Sequence, residues 1–238
     1  MKYSIEDLMP IVMARLIRDN EKVFVGISSP LALIAALLAK KLIRPSITLI
    51  SVTGAIDPDP EIPPKTTSDN ILCFSSIATY HFAEAFDLCV RGELDVVFLR
   101  GAQIDKFGNV NISVIGSYDK PKVRLPGGAT LAMFMSNAKR IIYWTTRHDK
   151  RNFVDKVDFI TGTGNVEYVV TPLCIFKMDD GRLKVWRLMP NVDVDEIIEN
   201  TGFKVEFINR EVIEEPNETE LRVLREIDPH GVRRIEFK

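Results

Sequence analysis

A strand–helix–strand unit near the N-terminus constrains the fold more than any other feature. The segment KVFVGI at residues 22–27 is short and mostly apolar, and Ser29 followed by Pro30 is a favourable helix start. An apolar helix is predicted over residues 31–43, and a second strand over residues 47–51. This order of elements is typical of a parallel pair with a right-handed crossover. We therefore predict an α/β protein whose mainly parallel sheet is flanked by helices.

The remaining pattern extends this architecture along the chain. Apolar residues recur at helical spacing over residues 4–20, where Ser4 and Asp7 form a weak capping box. Further helices are predicted over residues 80–91, 194–200 and 218–227, and further strands over residues 94–99, 109–115, 140–145, 169–177 and 183–188. The last two strands form a hairpin turned at residues 179–181. Because no linker divides the chain, we predict one domain over residues 1–238, with a C-terminal hairpin and helix appended from about residue 160.

Composition excludes several classes of protein. The 31 Lys and Arg residues balance 33 Asp and Glu residues, whereas nucleic-acid binding usually needs a basic face. The longest apolar stretch, residues 30–39, is half of the roughly 20 residues that a membrane span needs, and the N-terminus lacks an export signal. We therefore expect a cytoplasmic protein without a nucleic-acid or membrane partner. Cys73, Cys89 and Cys174 show no disulfide or metal spacing and are predicted to be buried thiols.

Familiar catalytic motifs are missing from the sequence. His81, His148 and His230 are isolated, so no metal site is predicted. There is no nucleophile elbow of the GxSxG type, no Walker motif, and no GxGxxG after the first strand. A nucleotide-phosphate enzyme of a familiar kind is therefore not expected.

Two segments lie where ligands bind in open parallel sheets, beyond the carboxyl ends of strands. They are SVTGAIDP at residues 51–58 and GAQIDKFGNVN at residues 101–111. A third segment, PGGA at residues 126–129, is of interest for its paired glycines. Paired glycines let backbone amides approach a ligand and form an oxyanion hole, although they also occur in flexible turns. Residues 105–109 are likewise compatible with a tight turn alone.

Together with RHDKRNFVDKVDFIT at residues 147–161, these segments resemble the beta subunit of glutaconate CoA-transferase. The similarity extends from the opening helix to LREIDP at residues 224–229. The resemblance implies a sugar-isomerase/CoA-transferase-like α/β fold and a hetero-oligomer with an alpha subunit. It also implies an acyl-CoA substrate, so that coenzyme A enters as part of the substrate and no cofactor is permanently bound.

The resemblance also implies functional residues. Backbone donors for the thioester would come from Gly127, Gly128 and Ala129. The residues that would line the substrate pocket are Val52, Thr53, Gly54, Gln103 and Asn109. Three cations, Arg147, Lys150 and Arg151, are either contacts for the phosphates of coenzyme A or a solvated charged run.

One departure from the family pattern affects the chemistry. Its transferases use the glutamate of a Glu-Ser-Gly motif as a nucleophile on the thioester, and alignment by the flanks places Val52, Thr53 and Gly54 there. The missing glutamate resembles the situation in the beta subunits of steroid ring-opening hydrolases. These subunits also lack the glutamate, and they share the Asp-x-x-Gly-Asn-x-Asn-Ile-Ser pattern found here at residues 105–113. We therefore predict an alpha/beta enzyme that hydrolyses a carbon–carbon bond in a cyclic acyl-CoA, with this chain inactive by itself. A true CoA transferase and a non-catalytic CoA-binding or scaffolding subunit remain alternatives.

Overall fold

The computed structural model describes residues 3–237, which form two compact units. Unit 1 contains the chain up to Phe98 and again from Glu215 onward, and unit 2 contains Leu99–Glu214. The predicted C-terminal appendage therefore divides, with its hairpin in unit 2 and its helix in unit 1. The single domain over residues 1–238 stays a prediction.

Unit 1 contains the predicted parallel strands. Its sheet has the order β5-β1-β2-β3-β4, formed by β1 (Lys22–Val25), β2 (Thr48–Ser51), β3 (Ala55–Ile56), β4 (Ala78–Thr79) and β5 (Val96–Leu99). The central strand β1 is parallel to both neighbours, with Val25 opposite Ser51 on β2 and opposite Phe98 on β5. The two short strands β3 and β4 continue the sheet in antiparallel fashion.

Unit 2 combines parallel and antiparallel strands. Two small sheets contain β6 (Gln103–Asp105), β7 (Val110–Asn111) and β11 (Phe153–Val154), and β8 (Val114–Ile115) with β9 (Val123–Arg124). A larger sheet has the order β14-β13-β12-β10, formed by β10 (Arg140–Trp144), β12 (Val166–Val170), β13 (Cys174–Asp179) and β14 (Arg182–Leu188). The pair β10–β12 is parallel, and β12, β13 and β14 are antiparallel.

The helices are α1 (Ile5–Arg15), α2 (Pro30–Leu38), α3 (Ile71–Phe74), α4 (Phe82–Val90), α5 (Leu131–Asn137), α6 (Val194–Asn200) and α7 (Glu218–Ile227). A π-helical turn over Ala39–Ile43 continues α2, and the 3-10 segment Val232–Phe237 follows α7. Every residue of α2 is buried, as expected for a helix that is apolar on all sides. Within unit 1, α2 packs against α1, α7 and β1. These features confirm the predicted α/β class.

Two predicted strands are interrupted by side-chain hydrogen bonds. The predicted strand over residues 109–115 is broken because the Asn111 side chain accepts a hydrogen bond from the Ser113 amide. The predicted strand over residues 169–177 contains the turn between β12 and β13, where the Thr171 hydroxyl accepts from two backbone amides, those of Leu173 and Cys174. Propensity over these segments favoured a strand, but the local polar side chains offer the backbone another partner.

Other predictions are confirmed. Ser4 and Asp7 form the expected capping box, although α1 ends at Arg15 rather than near residue 20. The β13–β14 hairpin turns through Asp180 and Gly181, whose φ angles of 49° and 72° are those of a type I′ turn.

The cysteines only partly match the prediction. Cys89 and Cys174 are buried, but Cys73 is half-buried at the surface-facing helix α3, so its prediction as a buried thiol was wrong. Burial raises the pKa of the Cys89 thiol to about 11. Within residues 3–237, no helix is both long and apolar enough to cross a membrane.

Candidate functional site

The end of β2 and the turn that follows it, residues 51–54, carry no carboxylate. Ser51 is fully buried, and Val52 and Thr53 are half-buried. The hydroxyl oxygens of Ser51 and Thr53 lie 3.0 Å apart, and the Val52 amide donates to the carbonyl of Val25. The turn therefore presents hydroxyl groups and an aliphatic side chain, with no side chain that is ionised near neutral pH.

Tyr80 holds this turn at both of its ends. Its hydroxyl donates to the Ser51 carbonyl oxygen at 2.6 Å, and its amide donates to the Gly54 carbonyl oxygen at 2.8 Å. Gly54 has a φ of 94°, and a Cβ there would lie 2.5 Å from the Tyr80 carbonyl oxygen. Burial, with smaller contributions from Cys73 and Glu84, raises the pKa of Tyr80 well above its usual range. The Tyr80 hydroxyl therefore remains protonated and continues to donate.

Asp57 is the acidic residue nearest to this turn in sequence, and its carboxylate already has partners. Its Oδ1 lies 2.9 Å from Lys40 Nζ and accepts a hydrogen bond of 2.7 Å from the Leu49 amide. The next two acids along the chain, Asp59 and Glu61, are exposed. With Lys40 and Asp57 they line a cavity of about 830 Å³ in unit 1. Both contacts are made by Oδ1, so Lys40 and the Leu49 amide hold the Asp57 carboxylate beside β2.

The long motif at residues 101–111 is a hairpin organised by Asp105. The buried Asp105 carboxylate accepts hydrogen bonds from the amides of Phe107 and Asn109 and from Asn109 Nδ2, at 3.0–3.1 Å. Gly108 completes the turn with a φ of 78°. The structure therefore contains the tight turn that the sequence permits, and the substrate-lining role of Asn109 stays a prediction.

Gln103 is buried in a hydrogen-bond network within unit 2. Its Oε1 accepts from Asn111 Nδ2 at 2.7 Å and from the Asp158 amide at 3.1 Å. Its Nε2 donates to Asp158 Oδ2 at 3.2 Å. These three bonds join β6, β7 and the segment at residue 158. The side chain thus has a structural function, and its predicted contact with substrate remains untested.

The Gly-Gly-Ala segment runs beside residues 112–113. The amide of Gly127 donates to the Ile112 carbonyl oxygen at 2.8 Å, so that amide is already used. Gly127 and Ala129 have positive φ angles of 89° and 40°. Within the described residues, the amides of Gly128 and Ala129 have no acceptor. Of the three predicted donors, these two are therefore the ones available to a ligand.

Two hydroxyl side chains that were not predicted as site residues lie next to this segment. Ser113 Oγ and Thr161 Oγ1 are 2.7 Å apart, and Thr161 Oγ1 accepts a hydrogen bond of 3.0 Å from the Ile112 amide. A Cβ on Gly128 would lie only 2.4 Å from Thr161 Cγ2. Both lie in segments that carry the family resemblance, Ser113 in residues 105–113 and Thr161 in residues 147–161. They are 48 residues apart in sequence, so their pairing left no local signal.

The charged segment at residues 147–151 surrounds a buried histidine. Both ring nitrogens of His148 are within 3.0 Å of threonine hydroxyls, on Thr171 and Thr201, and the ring stacks on Phe153. Burial lowers the pKa of His148 to about 3, so the ring is neutral. The neighbouring cations Arg147, Lys150 and Arg151 are exposed, and their contact with CoA phosphates stays a prediction.

Among residues 3–237, no cluster of three or more His, Cys, Asp or Glu side chains is placed to hold a metal ion.

Comparison with known proteins identifies the family. The family model described as Coenzyme A transferase matches residues 8–200. The chain belongs to the coenzyme A transferase family.

Similar proteins include B subunits of different enzymes. The chain is 34% identical to the B subunit of 3-oxoadipate CoA-transferase from Pseudomonas knackmussii, covering 95% of this chain and 94% of that protein. It is 27% identical to the B subunit of glutaconate CoA-transferase from Acidaminococcus fermentans, with coverage of 95% and 93%. It is 26% identical to the cholesterol ring-cleaving hydrolase IpdB subunit of Mycobacterium tuberculosis, with 98% of both chains covered. The resemblance that the sequence motifs indicated is confirmed.

Solved structures show the same fold. The decarboxylase AibA/AibB superposes with a TM-score of 0.93 and 26% identity, over 99% of both chains. Glutaconate coenzyme A-transferase from Acidaminococcus fermentans gives a TM-score of 0.88 at 24% identity, over 100% of this chain and 98% of that one. The predicted CoA-transferase-like fold is therefore confirmed.

Proposed function

We propose that this chain is the beta subunit of an alpha/beta enzyme that binds an acyl-CoA and cleaves a carbon–carbon bond in the acyl part, leaving the thioester intact. The observation that carries the proposal is the turn after β2. There Val52 stands at the position that the flanking residues align with the nucleophilic glutamate, and residues 51–54 contain no carboxylate. A valine side chain has no lone pair with which to attack a thioester.

The neighbouring acid does not restore the nucleophile. Asp57 is held by Lys40 and by the Leu49 amide, and a displacement of about 1 Å is enough to cost about 100-fold in rate. The covalent transfer pathway therefore lacks its usual starting group in this chain, while the motifs at residues 101–111 and 126–129 retain the family pattern.

The proposed reaction is hydrolysis of a cyclic acyl-CoA that has a ketone β to the thioester. Water adds to the ketone carbon, and the bond between that carbon and the α-carbon breaks. The electron pair moves to the α-carbon and is shared with the thioester oxygen as an enolate. A proton then returns to the α-carbon, and the ketone carbon becomes a new carboxylic acid in the ring-opened product. Coenzyme A stays esterified and acts as a binding handle.

Two comparisons support cleavage of a carbon–carbon bond. One relative is a subunit of a cholesterol ring-cleaving hydrolase, and the decarboxylase AibA/AibB has the most similar fold among the structures described above. Decarboxylation also breaks a carbon–carbon bond and delivers an electron pair to the remaining fragment. We place hydrolysis first because residues 51–54 contain no carboxylate that could act as the nucleophile of transfer.

A second candidate is CoA transfer between carboxylic acids. The observation that favours it is the 34% identity to the B subunit of 3-oxoadipate CoA-transferase. In that case, a carboxylate outside residues 51–54 would attack the thioester, giving a mixed anhydride and releasing the CoA thiolate. The thiolate would then attack the enzyme's carbonyl carbon, so that the donor acid leaves and a glutamyl- or aspartyl-CoA intermediate remains.

The test uses the complex with the alpha subunit, copurified from co-expression. The complex is incubated with cyclic β-ketoacyl-CoA compounds in [18O]water, and with acetyl-CoA plus a panel of dicarboxylic acids. We expect 18O in the new carboxylate of a ring-opened product that still carries CoA. Transfer of CoA between acids, with an adduct trapped by borohydride and located by peptide mass spectrometry, would instead establish the transferase.

Val52→Glu provides the matched variant. If the valine marks the loss of transfer chemistry, the variant gains transfer from acetyl-CoA to a dicarboxylic acid, whereas Val52→Gln does not. A complex that processes no acyl-CoA and gains nothing from Val52→Glu would leave the chain as a non-catalytic subunit.

A further inference from the structure

Three segments of unit 2 meet beside the Gly-Gly-Ala segment. The Ile112 carbonyl oxygen accepts from the Gly127 amide, and the Ile112 amide donates to Thr161 Oγ1. The backbone of Gly128 lies against the Thr161 side chain, since a Cβ at Gly128 would be 2.4 Å from Thr161 Cγ2. Thr161 therefore packs closely against the Gly128 backbone.

The hydroxyl pair formed by Ser113 and Thr161 has one hydrogen atom to spare. Each hydroxyl carries a single hydrogen, and only one of the two lies in the 2.7 Å contact between the oxygens. Whichever residue donates in that contact, the hydrogen of the other has no acceptor within residues 3–237. Both side chains are half-buried, so the spare donor is accessible.

Two backbone donors in the adjoining segment are also unassigned. The amides of Gly128 and Ala129 have no acceptor in the described part of the chain. With the spare hydroxyl hydrogen they make three unassigned donors, on segments that meet through the contacts between Gly127 and Ile112 and between Gly128 and Thr161. Preorganised donors of this kind stabilise an oxygen atom on which negative charge develops.

We propose that the hydroxyl pair of Ser113 and Thr161, together with the amides of Gly128 and Ala129, binds the thioester carbonyl oxygen of the acyl-CoA. This inference rests on the proposed function and adds two side chains to the candidate site. During carbon–carbon cleavage, the electron pair released to the α-carbon is shared with this oxygen, so its negative charge grows. Hydrogen bonds to it are then stronger in the transition state than in the bound substrate.

The experiment measures recognition of the carbonyl oxygen without turnover. Isothermal titration of the alpha/beta complex compares butyryl-CoA with its thioether analogue, S-butyl-CoA, in which CH2 replaces the carbonyl group. The variants are Ser113→Ala/Thr161→Val, which removes both hydroxyls, and Thr161→Ser, which keeps both. Valine retains the methyl group that touches Gly128.

We expect the wild-type complex to prefer the thioester, and the double variant to lose about three- to tenfold of that preference, as for one hydrogen bond. Thr161→Ser should retain the preference. With a substrate that is turned over, the double variant should lower kcat more than it changes KM, because the bond strengthens in the transition state.

Several results would overturn the inference. An unchanged preference in a folded double variant, or an equal loss of affinity for both ligands, would show that the hydroxyl pair has only a structural function. If that double variant does not fold, Ser113→Ala/Thr161→Ala is measured instead. It also removes both hydroxyls, whereas either single substitution leaves one hydroxyl whose hydrogen is free to donate, and it should lower the preference by about three- to tenfold. A wild-type complex that binds neither ligand would contradict the proposed function itself.

Discussion

Arg233 Nη2 lies 2.7 Å from Asp7 Oδ1, joining residues that are 226 positions apart in sequence. The same guanidinium binds Asp228 through Nη1, also at 2.7 Å, and all three side chains are buried. Burial alone would raise the pKa of Asp7, but hydrogen bonds from Arg233 and Ser4 outweigh it and keep the pKa below its usual value. This triad attaches the C-terminal 3-10 segment to α1 within unit 1.

Replacing Arg233 with methionine should destabilise unit 1 strongly. The substitution leaves the buried carboxylates of Asp7 and Asp228 without their cation, and losing one member of a buried ionic group costs about 3–5 kcal/mol. Urea unfolding at pH 7 measures the loss. The matched control is Arg222→Met, which removes an exposed pair with Glu226 and should cost less than about 1 kcal/mol. Equal effects of the two substitutions would contradict the structural function of the triad.

His148 should make stability decrease as the pH falls. Burial holds its pKa at about 3 in the folded protein, compared with about 6.5 in the unfolded chain. Between these values only the unfolded chain binds the proton, so the free energy of unfolding decreases by about 1.4 kcal/mol per pH unit below pH 6.5. This contribution amounts to about 2 kcal/mol between pH 7 and pH 5.

The measurement compares urea unfolding at pH 7 and pH 5 for the wild type, His148→Gln and His230→Gln. His148→Gln should flatten the dependence, because the titrating group is gone. The exposed control His230→Gln should keep it. A wild-type slope in the His148 variant would mean that other groups cause the pH dependence.

Tyr80→Phe should loosen the turn after β2. The variant loses the 2.6 Å bond to the Ser51 carbonyl but keeps the ring, and we expect a loss of about 1 kcal/mol in stability.

Because Cys73 Sγ donates to the Thr53 carbonyl in the same turn, the Cys73 thiol should become more accessible in Tyr80→Phe. Alkylation by iodoacetamide, followed by peptide mass spectrometry, reports this selectively, since Cys89 and Cys174 are buried. Tyr118→Phe, at an exposed tyrosine, is the control. An unchanged alkylation rate would contradict the conclusion that the Tyr80 hydroxyl stabilises this turn.

Gly128→Ala should destabilise unit 2 through one identifiable contact. The added Cβ would meet Thr161 Cγ2 at 2.4 Å, and overpacking of this kind typically costs about 1–3 kcal/mol. Thr161→Ser removes that methyl group, so the double variant should recover most of the stability lost in Gly128→Ala. Thermal unfolding of the two single variants and the double variant measures the coupling. If the stability changes of the two single variants simply add in the double variant, the destabilisation by Gly128→Ala does not come from its contact with Thr161.

Local signals predicted much of the fold. The helix α2 begins at Pro30, as the Ser-Pro pair indicated, and it lies between the parallel strands β1 and β2. Strand ends were less predictable near polar side chains. Asn111 and Thr171 each bind nearby amides and interrupt a segment whose composition favours a strand.

The candidate site was predicted less completely. Motifs located the turn at Val52 and the Gly-Gly-Ala segment, because glycine and turn residues constrain the backbone locally. They did not reveal that Tyr80 binds the turn at Val52, or that Thr161 lies next to the Gly-Gly-Ala segment. Tyr80 is 29 residues from Ser51, and a contact at that separation has no periodic signal.

The sequence by itself determined the α/β class, the strand–helix–strand unit, the hairpin at Asp180 and the family, because periodicity, caps, turns and motifs are properties of neighbouring residues. Only the tertiary structure decided that Arg233 neutralises Asp7, that Asp57 is held by Lys40, and that Ser113 and Thr161 share one hydrogen bond. Each of these contacts depends on which distant segments the buried core brings together. Its formation follows from the packing of the whole unit rather than from the preference of any single segment.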